Sequence, residues 1–141
     1  MKKIYLVPVL LAGVLVSCQN KKEAEDKKLA DQAIAIHDEI MPQISSFDKA
    51  TIEIDSILLN LNAIKVANPE LDTTTTRTEL TSLKVNLEAA TDNMMIWMKD
   101  YSLDSTDVAY QQAEVDNVTA MKKQFDDVSK ESETKLSPFR K

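Results

Sequence analysis

The side chains best suited to specific chemistry in this sequence are its single histidine and a group of methionines. His37 and Met41 are four residues apart, so they share one face of a helix. Further along the chain, Met95 and Met98 lie on either side of Trp97. Imidazole and thioether groups are ligands that suit Cu(I) or Ag(I), and the face of a tryptophan attracts cations. The spacing predicts a soft-metal site shared by two helices.

The two segments meet only if their helices pack antiparallel in a suitable register. A turn over residues 64–73 would place His37 opposite Asp100 and Met41 opposite Ile96. The four predicted ligands would then lie within a turn or two of one another, provided that their faces agree.

The same residues also fit an interpretation without a metal. Methionine is flexible and fills irregular gaps in helical cores, with His37 at the boundary of such a core. In this interpretation Trp97 and Tyr101 pack at a helix end. Trp97 and Met94 are the candidates for a cation–π contact or a docking surface for a partner. The sequence leaves both interpretations open.

The pattern of polar residues does not predict catalysis. The chain has one glycine, so it has no glycine-rich phosphate loop, and no motif places a nucleophile beside the histidine. Adjacent acids, such as Asp38 with Glu39 and Asp126 with Asp127, point to different sides of a helix and are expected to be solvated. We therefore expect a protein that is not an enzyme.

The N-terminus has the layout of an export signal. Lys2 and Lys3 precede an apolar run over residues 4–16, which is shorter than the roughly 20 residues that span a membrane. The run ends in a segment that resembles the bacterial lipobox, Leu15-Val16-Ser17-Cys18. The resemblance implies that residues 1–17 are a cleaved lipoprotein signal peptide. It also implies that Cys18 carries a diacylglycerol and an acyl chain such as palmitate, which form a membrane anchor.

Charge and cysteine content limit the classes of partner. The chain has 17 basic and 23 acidic residues and a net charge of −6. Removal of the two signal lysines leaves 15 basic against 23 acidic residues, a net charge of −8. An acidic chain without a basic stripe is not expected to bind nucleic acid. Cys18 is the only cysteine, so no disulfide within the chain is expected.

Hydrophobic periodicity predicts helices along the rest of the chain. Apolar residues recur every three or four positions in three segments, which predicts helices over about 25–66, 76–101 and 105–134. Pro42 lies inside the first of these helices. Since proline removes a helical hydrogen bond and crowds the preceding turn, we expect a kink or break near residues 38–42.

These helices indicate an all-α fold, and more specifically an antiparallel up-down-up three-helix bundle with coiled-coil-like packing. The bundle is expected over residues 29–136. A polar tether over residues 18–28 would join it to the lipidated cysteine, and residues 137–141 would form an irregular tail.

Two motifs resemble segments of a known group of proteins. They are His37-Asp38-Glu39-Ile40-Met41-Pro42 and Met94-Met95-Ile96-Trp97-Met98-Lys99-Asp100-Tyr101. They are similar to the HDE[VI]MP and MMxWM motifs of small Bacteroidota-type lipoproteins, which are often labelled automatically as viral A-type inclusion proteins. The resemblance implies that the histidine, methionine and tryptophan set recurs in the group and that Pro42 is a built-in kink. It implies no particular activity.

A second resemblance concerns modification. Thr73 and Ser105 each follow an aspartate in a predicted turn, which is similar to the Asp-Ser/Thr sequon for O-glycosylation in that phylum. The resemblance implies that Thr73 and Ser105 carry sugar. Ordinary turn and capping chemistry favours the same residue types at these positions, so both interpretations remain.

Two functions remain open from the sequence. The first is a lipid-anchored helical protein of the cell envelope that acts as a structural or interaction module, through another envelope protein or through self-association. The second is a periplasmic Cu(I)- or Ag(I)-binding lipoprotein that uses the predicted site. Residues 19–22 lack an acidic cluster directly after the cysteine, which favours a periplasm-facing protein over a surface-exposed one.

Overall fold

The computed structural model describes the backbone of residues 16–140, with the side chains of residue 21 and of residues 23–140. The expected signal peptide, residues 1–17, therefore lies outside the described residues except for the backbone of its last two. The side chain of Cys18 also lies outside them.

The described chain is helical, with turns between the helices and no strand in the range 16–140. Its α-helices are α1 (Val16–Leu59), α2 (Leu61–Ala67), α3 (Thr73–Asp100) and α4 (Val108–Leu136), and a short 3-10 helix follows at Ser137–Phe139. The four α-helices pack together. The expected all-α class is confirmed.

The polar segment over residues 18–28, which was expected as a tether, is helical and belongs to α1. It contains neither glycine nor proline and consists mainly of Lys, Glu, Ala and Gln, which all favour helix. Asp26 within the segment and Ala30 just after it are buried, so this part of α1 packs against the other helices. Helix propensity in this segment thus extends α1 beyond the expected start at about residue 25.

Pro42 does not interrupt α1, and the first helical stretch instead ends at Leu59. Because Pro42 has no backbone N–H, the backbone carbonyl of Asp38 lacks its helical hydrogen bond. Asp38 is exposed, so water can supply the missing donor. The break comes at Asn60, whose amide N–H is shared between the carbonyls of Ser56 and Ile57 at 3.2 Å each. The Asn60 side chain also donates to the Ser56 carbonyl at 2.8 Å, and such competition with the backbone favours helix ends.

Aspartate caps set the starts of α3 and α4. The Asp72 carboxylate accepts from the N–H groups of Thr74 and Thr75 at 2.9 and 3.2 Å, and Asp107 accepts from that of Ala109 at 2.9 Å. These bonds satisfy donors that a helix start leaves free. The two helices therefore start at Thr73 and Val108 instead of at the expected residues 76 and 105.

The core follows a heptad rhythm on α1. Positions seven residues apart are all buried there, namely Ala33, Ile40, Phe47, Ile54 and Leu61 at the start of α2. They pack against the apolar faces of α3 and α4, and the Phe47 ring stacks on that of Phe125 with centroids 4.8 Å apart. Burial of one contiguous apolar seam is the main stabilising term of such a fold.

The order of side-chain pairs gives the direction of each helix. Lys84 pairs with Asp55 and Trp97 with His37, so α3 runs opposite to α1. The pairs between α3 and α4 also run in opposite directions, namely Asn86–Glu131 and Asn93–Gln124. Residue numbers increase together in the pairs between α1 and α4, Glu39–Lys122 and Phe47–Phe125, so these two helices are parallel. The end of α3 therefore lies beside the N-terminal half of α1.

Candidate functional site

Among the described residues, one ring nitrogen of His37 has a hydrogen-bond partner, Asp38, and the other has none. Its Nδ1 lies 3.0 Å from Oδ1 of Asp38, and because a carboxylate only accepts, Nδ1 carries the proton of this bond. Nε2 is buried, and no hydrogen-bond partner for it exists among the described residues. In the tautomer with its proton on Nδ1, the ring presents the Nε2 lone pair inside the protein.

The inner face of this site is aromatic. The ring of His37 lies 5.8 Å from that of Trp97, at an interplanar angle of 31°. Trp97 is buried, and its Nε1 donates to Oε2 of Glu114 at 2.7 Å. A bond from α3 to α4 therefore fixes the indole against the histidine of α1.

The aromatic cluster continues toward the turn between α3 and α4. Tyr101 stacks on Trp97 with centroids 4.6 Å apart, and Tyr110 follows at 6.4 Å from Tyr101. Burial raises the pKa of the Tyr101 hydroxyl, and nearby Tyr110 and the carboxylates of Glu114 and Asp31 raise it further. This hydroxyl is therefore a neutral donor at physiological pH.

Gln111 ties the cluster to the turn. Its side chain is fully buried, its Oε1 accepts from the Tyr101 hydroxyl at 2.8 Å, and its Nε2 lies 3.0 to 3.4 Å from the carbonyls of Ser105, Ser102 and Leu103. Sequence reasoning gave no role to Gln111 or Glu114. The available signal was a polar residue on the apolar face of α4, since Gln111 is one turn from the buried Val115.

The methionines divide into buried and exposed ones. Met94 is fully buried and Met41 is half-buried against the core, whereas Met95 and Met98 are 52% and 42% exposed. Trp97 and Met94, the expected docking pair, thus face inward. The two methionines that were expected as ligands beside His37 lie at the rim of the protein.

The register differs from the expected one. His37 lies opposite Trp97 and not opposite Asp100, because the chain between Leu59 and Thr73 forms α2 and a turn instead of extending α1. In antiparallel helices the next turn of α1 pairs with the previous turn of α3. Met41 is therefore level with the buried Met94 and not with Ile96.

The remaining expected sites are placed as follows. Cys18 lies in the first turns of α1, with its side chain outside the described part. Thr73 is the half-buried first residue of α3. Ser105 is half-buried in the turn before α4, where its Oγ accepts from the Asp107 N–H at 3.3 Å. Glycosylation of these two residues stays a prediction.

The outer face of α3 carries exposed apolar side chains. Val85 and Ile96, which are 57% and 58% exposed, lie about three turns apart on one face of the helix, whereas the exposed Met95 and Met98 are turned away from that face. Asp92 and Asp100 lie four residues before and after Ile96, so the three share a face, and both carboxylates are exposed. We call the residues of this face the α3 patch: Val85, Asp92, Ile96 and Asp100.

Two features are absent from residues 16–140. No helix in this range has the length and apolarity of a membrane span. No group of three or more His, Cys, Asp or Glu side chains among these residues is placed to hold a metal ion.

No protein-family model, curated protein or solved structure matches this chain.

Proposed function

We propose that this chain is a lipid-anchored protein of the cell envelope that acts as a structural or protein-interaction module. The observation that carries the proposal is the segment over residues 15–18, in which the only cysteine of the chain directly follows an export-type apolar run. One acyl chain holds a protein only marginally, and two or more give stable anchoring. A diacylglycerol with a further acyl chain on Cys18 would supply them.

In this proposal, α1, α3 and α4 form an antiparallel up-down-up three-helix bundle, and α2 covers the end far from Cys18. The alternating directions of the three long helices support it. Since α1 has 44 residues, it extends about 65 Å at a rise of about 1.5 Å per residue. A protein held at Cys18 would present its far end well away from the membrane surface, on the periplasmic side.

The α3 patch is the surface that we assign to a partner. Its apolar centre is Ile96, and Asp92 and Asp100, one turn away on either side, form an acidic rim. A second copy would bring these carboxylates together in a mature chain of 15 basic and 23 acidic residues, net charge −8, which like-charge repulsion opposes. We therefore infer a protein partner with an apolar centre and a basic rim, because such a surface complements both features.

The anchor is tested by the fate of the chain in cells of its source. With Cys18 intact, a clickable fatty acid fed to the cells is expected to label the protein, which should sediment with membranes. A Cys18→Ser variant should be unlabelled, and a Ser56→Ala variant serves as the matched control. A labelled Cys18→Ser protein, or an unlabelled protein with Cys18 intact, would refute the anchor.

The patch is tested by photo-crosslinking in the intact envelope. A photoreactive residue at Ile96 should give one discrete adduct, which weakens in high salt and disappears when Asp92 and Asp100 are both changed to Lys. The same probe at the exposed Gln112 of α4 is the control. An adduct made only of two copies of this chain would contradict the assigned partner. The absence of any adduct at Ile96 would contradict the docking surface.

A further inference from the structure

The geometry points to a soft-metal site inside the helical packing, in which Nε2 of His37 and the thioether sulfurs of Met41 and Met94 bind Cu(I) or Ag(I). This site goes beyond the docking role proposed above and does not depend on it. Binding involves no electron transfer, since the ion enters and stays in the +1 state.

The hydrogen bonding of His37 is that of a metal ligand. A metal-binding histidine nearly always donates its other ring N–H to a carboxylate or carbonyl, which fixes the tautomer and orients the ring. His37 has this arrangement with Asp38 at 3.0 Å. Its Nε2 lone pair is buried and unpartnered among the described residues, although buried polar atoms are rarely left without a partner. A metal ion would satisfy it.

The side chains around His37 include soft ligands. Met41 lies one helical turn from His37, and the antiparallel register places the fully buried Met94 at the level of Met41. Thioether sulfur is a soft ligand that selects Cu(I) over the hard cations that prefer oxygen. Met94 replaces the exposed Met95 and Met98 of the sequence-based hypothesis, because the lone pair of Nε2 is in the interior.

Trp97 lies beside His37 and can cover a bound cation. Its ring lies 5.8 Å from that of His37 and is fixed by the bond to Glu114. An indole face attracts a cation and, being apolar, keeps water away. Asp38 is hydrogen-bonded to His37, and Glu114 to Trp97. The negative charges of these two carboxylates favour a monovalent cation at the site.

The test is a titration of the full-length protein in detergent with Cu(I), under anaerobic reducing conditions, against the chelator bicinchoninate. Ag(I) is the second probe and Zn(II) the control ion. Trp97 is the only tryptophan of the chain, so its fluorescence reports occupancy. We expect binding of one equivalent of Cu(I), tighter than about 1 μM, with quenching of Trp97. Binding no tighter than that would overturn the site.

Matched variants test the ligands. His37→Ala and Met94→Leu should each weaken Cu(I) binding by at least about tenfold, whereas Met95→Leu makes the same change at an exposed position and should leave it unchanged. Unchanged affinity in His37→Ala would overturn the proposal. An equal loss in Met95→Leu and Met94→Leu would overturn the buried ligand set.

A second readout avoids any effect of Met94→Leu on folding. In the unaltered protein with ¹³C-labelled methionine methyl groups, Ag(I) should shift the signals of Met41 and Met94 and leave that of Met95 in place. Shifts confined to Met95 and Met98 would overturn the assignment.

Discussion

Gln111 holds the turn between α3 and α4 from inside the protein. Its one amide group serves the Tyr101 hydroxyl and three backbone carbonyls, all in a part of the chain that lacks regular helical hydrogen bonds. Tyr101 in turn stacks on Trp97. Gln111, through Tyr101, and Glu114, through Trp97, thus both hold the aromatic cluster beside His37.

Gln111→Ala should lower the free energy of unfolding by about 1–3 kcal/mol, because it leaves buried polar groups without partners. Urea denaturation followed by circular dichroism measures the change. Gln112→Ala, at the exposed neighbouring position, should stay within about 0.5 kcal/mol of the parent. Equal effects of the two substitutions would mean that the hydrogen bonds of Gln111 do not stabilise the turn.

Two single residues, a cap and an interior proline, affect the backbone hydrogen bonds of α4 and α1. α4 begins at a cap, Asp107, and α1 contains Pro42 without a break. Both features follow from how a helix satisfies its backbone groups: a cap supplies acceptors for free N–H groups, and a proline removes one donor from the ladder.

Asp107→Ala should destabilise the protein by about 1 kcal/mol, the usual cost of losing an aspartate cap. Asp104→Ala changes the same residue type in the turn before it, at a position that does not cap α4 in this structure, and should have little effect. Thermal unfolding of both variants measures the difference. A larger loss in Asp104→Ala would place the start of α4 nearer residue 105.

Pro42→Ala should raise the free energy of unfolding by about 2 kcal/mol. An interior proline costs a helix roughly 3 kcal/mol, from which the stabilising effect of proline on the unfolded chain, up to about 1 kcal/mol, is subtracted. Pro42 is exposed, so the substitution loses no packing. Pro69→Ala, in the turn after α2, is the control. A lower free energy of unfolding in Pro42→Ala would show that the proline sets a direction of the α1 axis that the fold requires.

The molecule as a whole carries acidic groups whose charged forms are favoured by folding. A hydrogen bond from Lys122 lowers the pKa of Asp126, one from Lys135 lowers that of Glu131, and those from Thr75 and Thr74 lower that of Asp72. Because the pKa is lower in the folded state than in the unfolded one, each group stabilises the fold above its unfolded pKa. That stabilisation is lost as the pH falls through the folded pKa.

The melting temperature is therefore expected to change little between about pH 7 and pH 5 and to fall below about pH 4, near the unfolded pKa of carboxyl groups. Exposed ion pairs contribute little individually, so the fall should be gradual. Circular dichroism melts at these pH values measure it. Asp126→Asn should show a smaller fall, and a melting temperature that rises on acidification would contradict the assigned shifts.

The sequence by itself determined the all-α class and most of the core. Apolar residues such as Ile40, Ile54 and Leu87 recur at helical spacing, and burial of that seam is the dominant favourable term, so local periodicity was enough. It also indicated that His37 faces the end of α3. Helix ends were less predictable, because Asp72 and Asp107 compete with neighbouring Thr and Ser residues for the capping position, and the energies differ by little.

Only the tertiary structure decided which side chains meet. A register difference of a few residues changed the partner of His37 from Asp100 to Trp97, because α2 and its turn replace the end of a longer helix. Periodicity places Met94 and Met95 on a helix, but only packing against α1 and α4 buries the first and exposes the second. Nε2 of His37, which has no partner among the described residues, is likewise buried by several helices together. His37 comes from α1, Trp97 from α3, and Glu114, which binds Trp97, from α4.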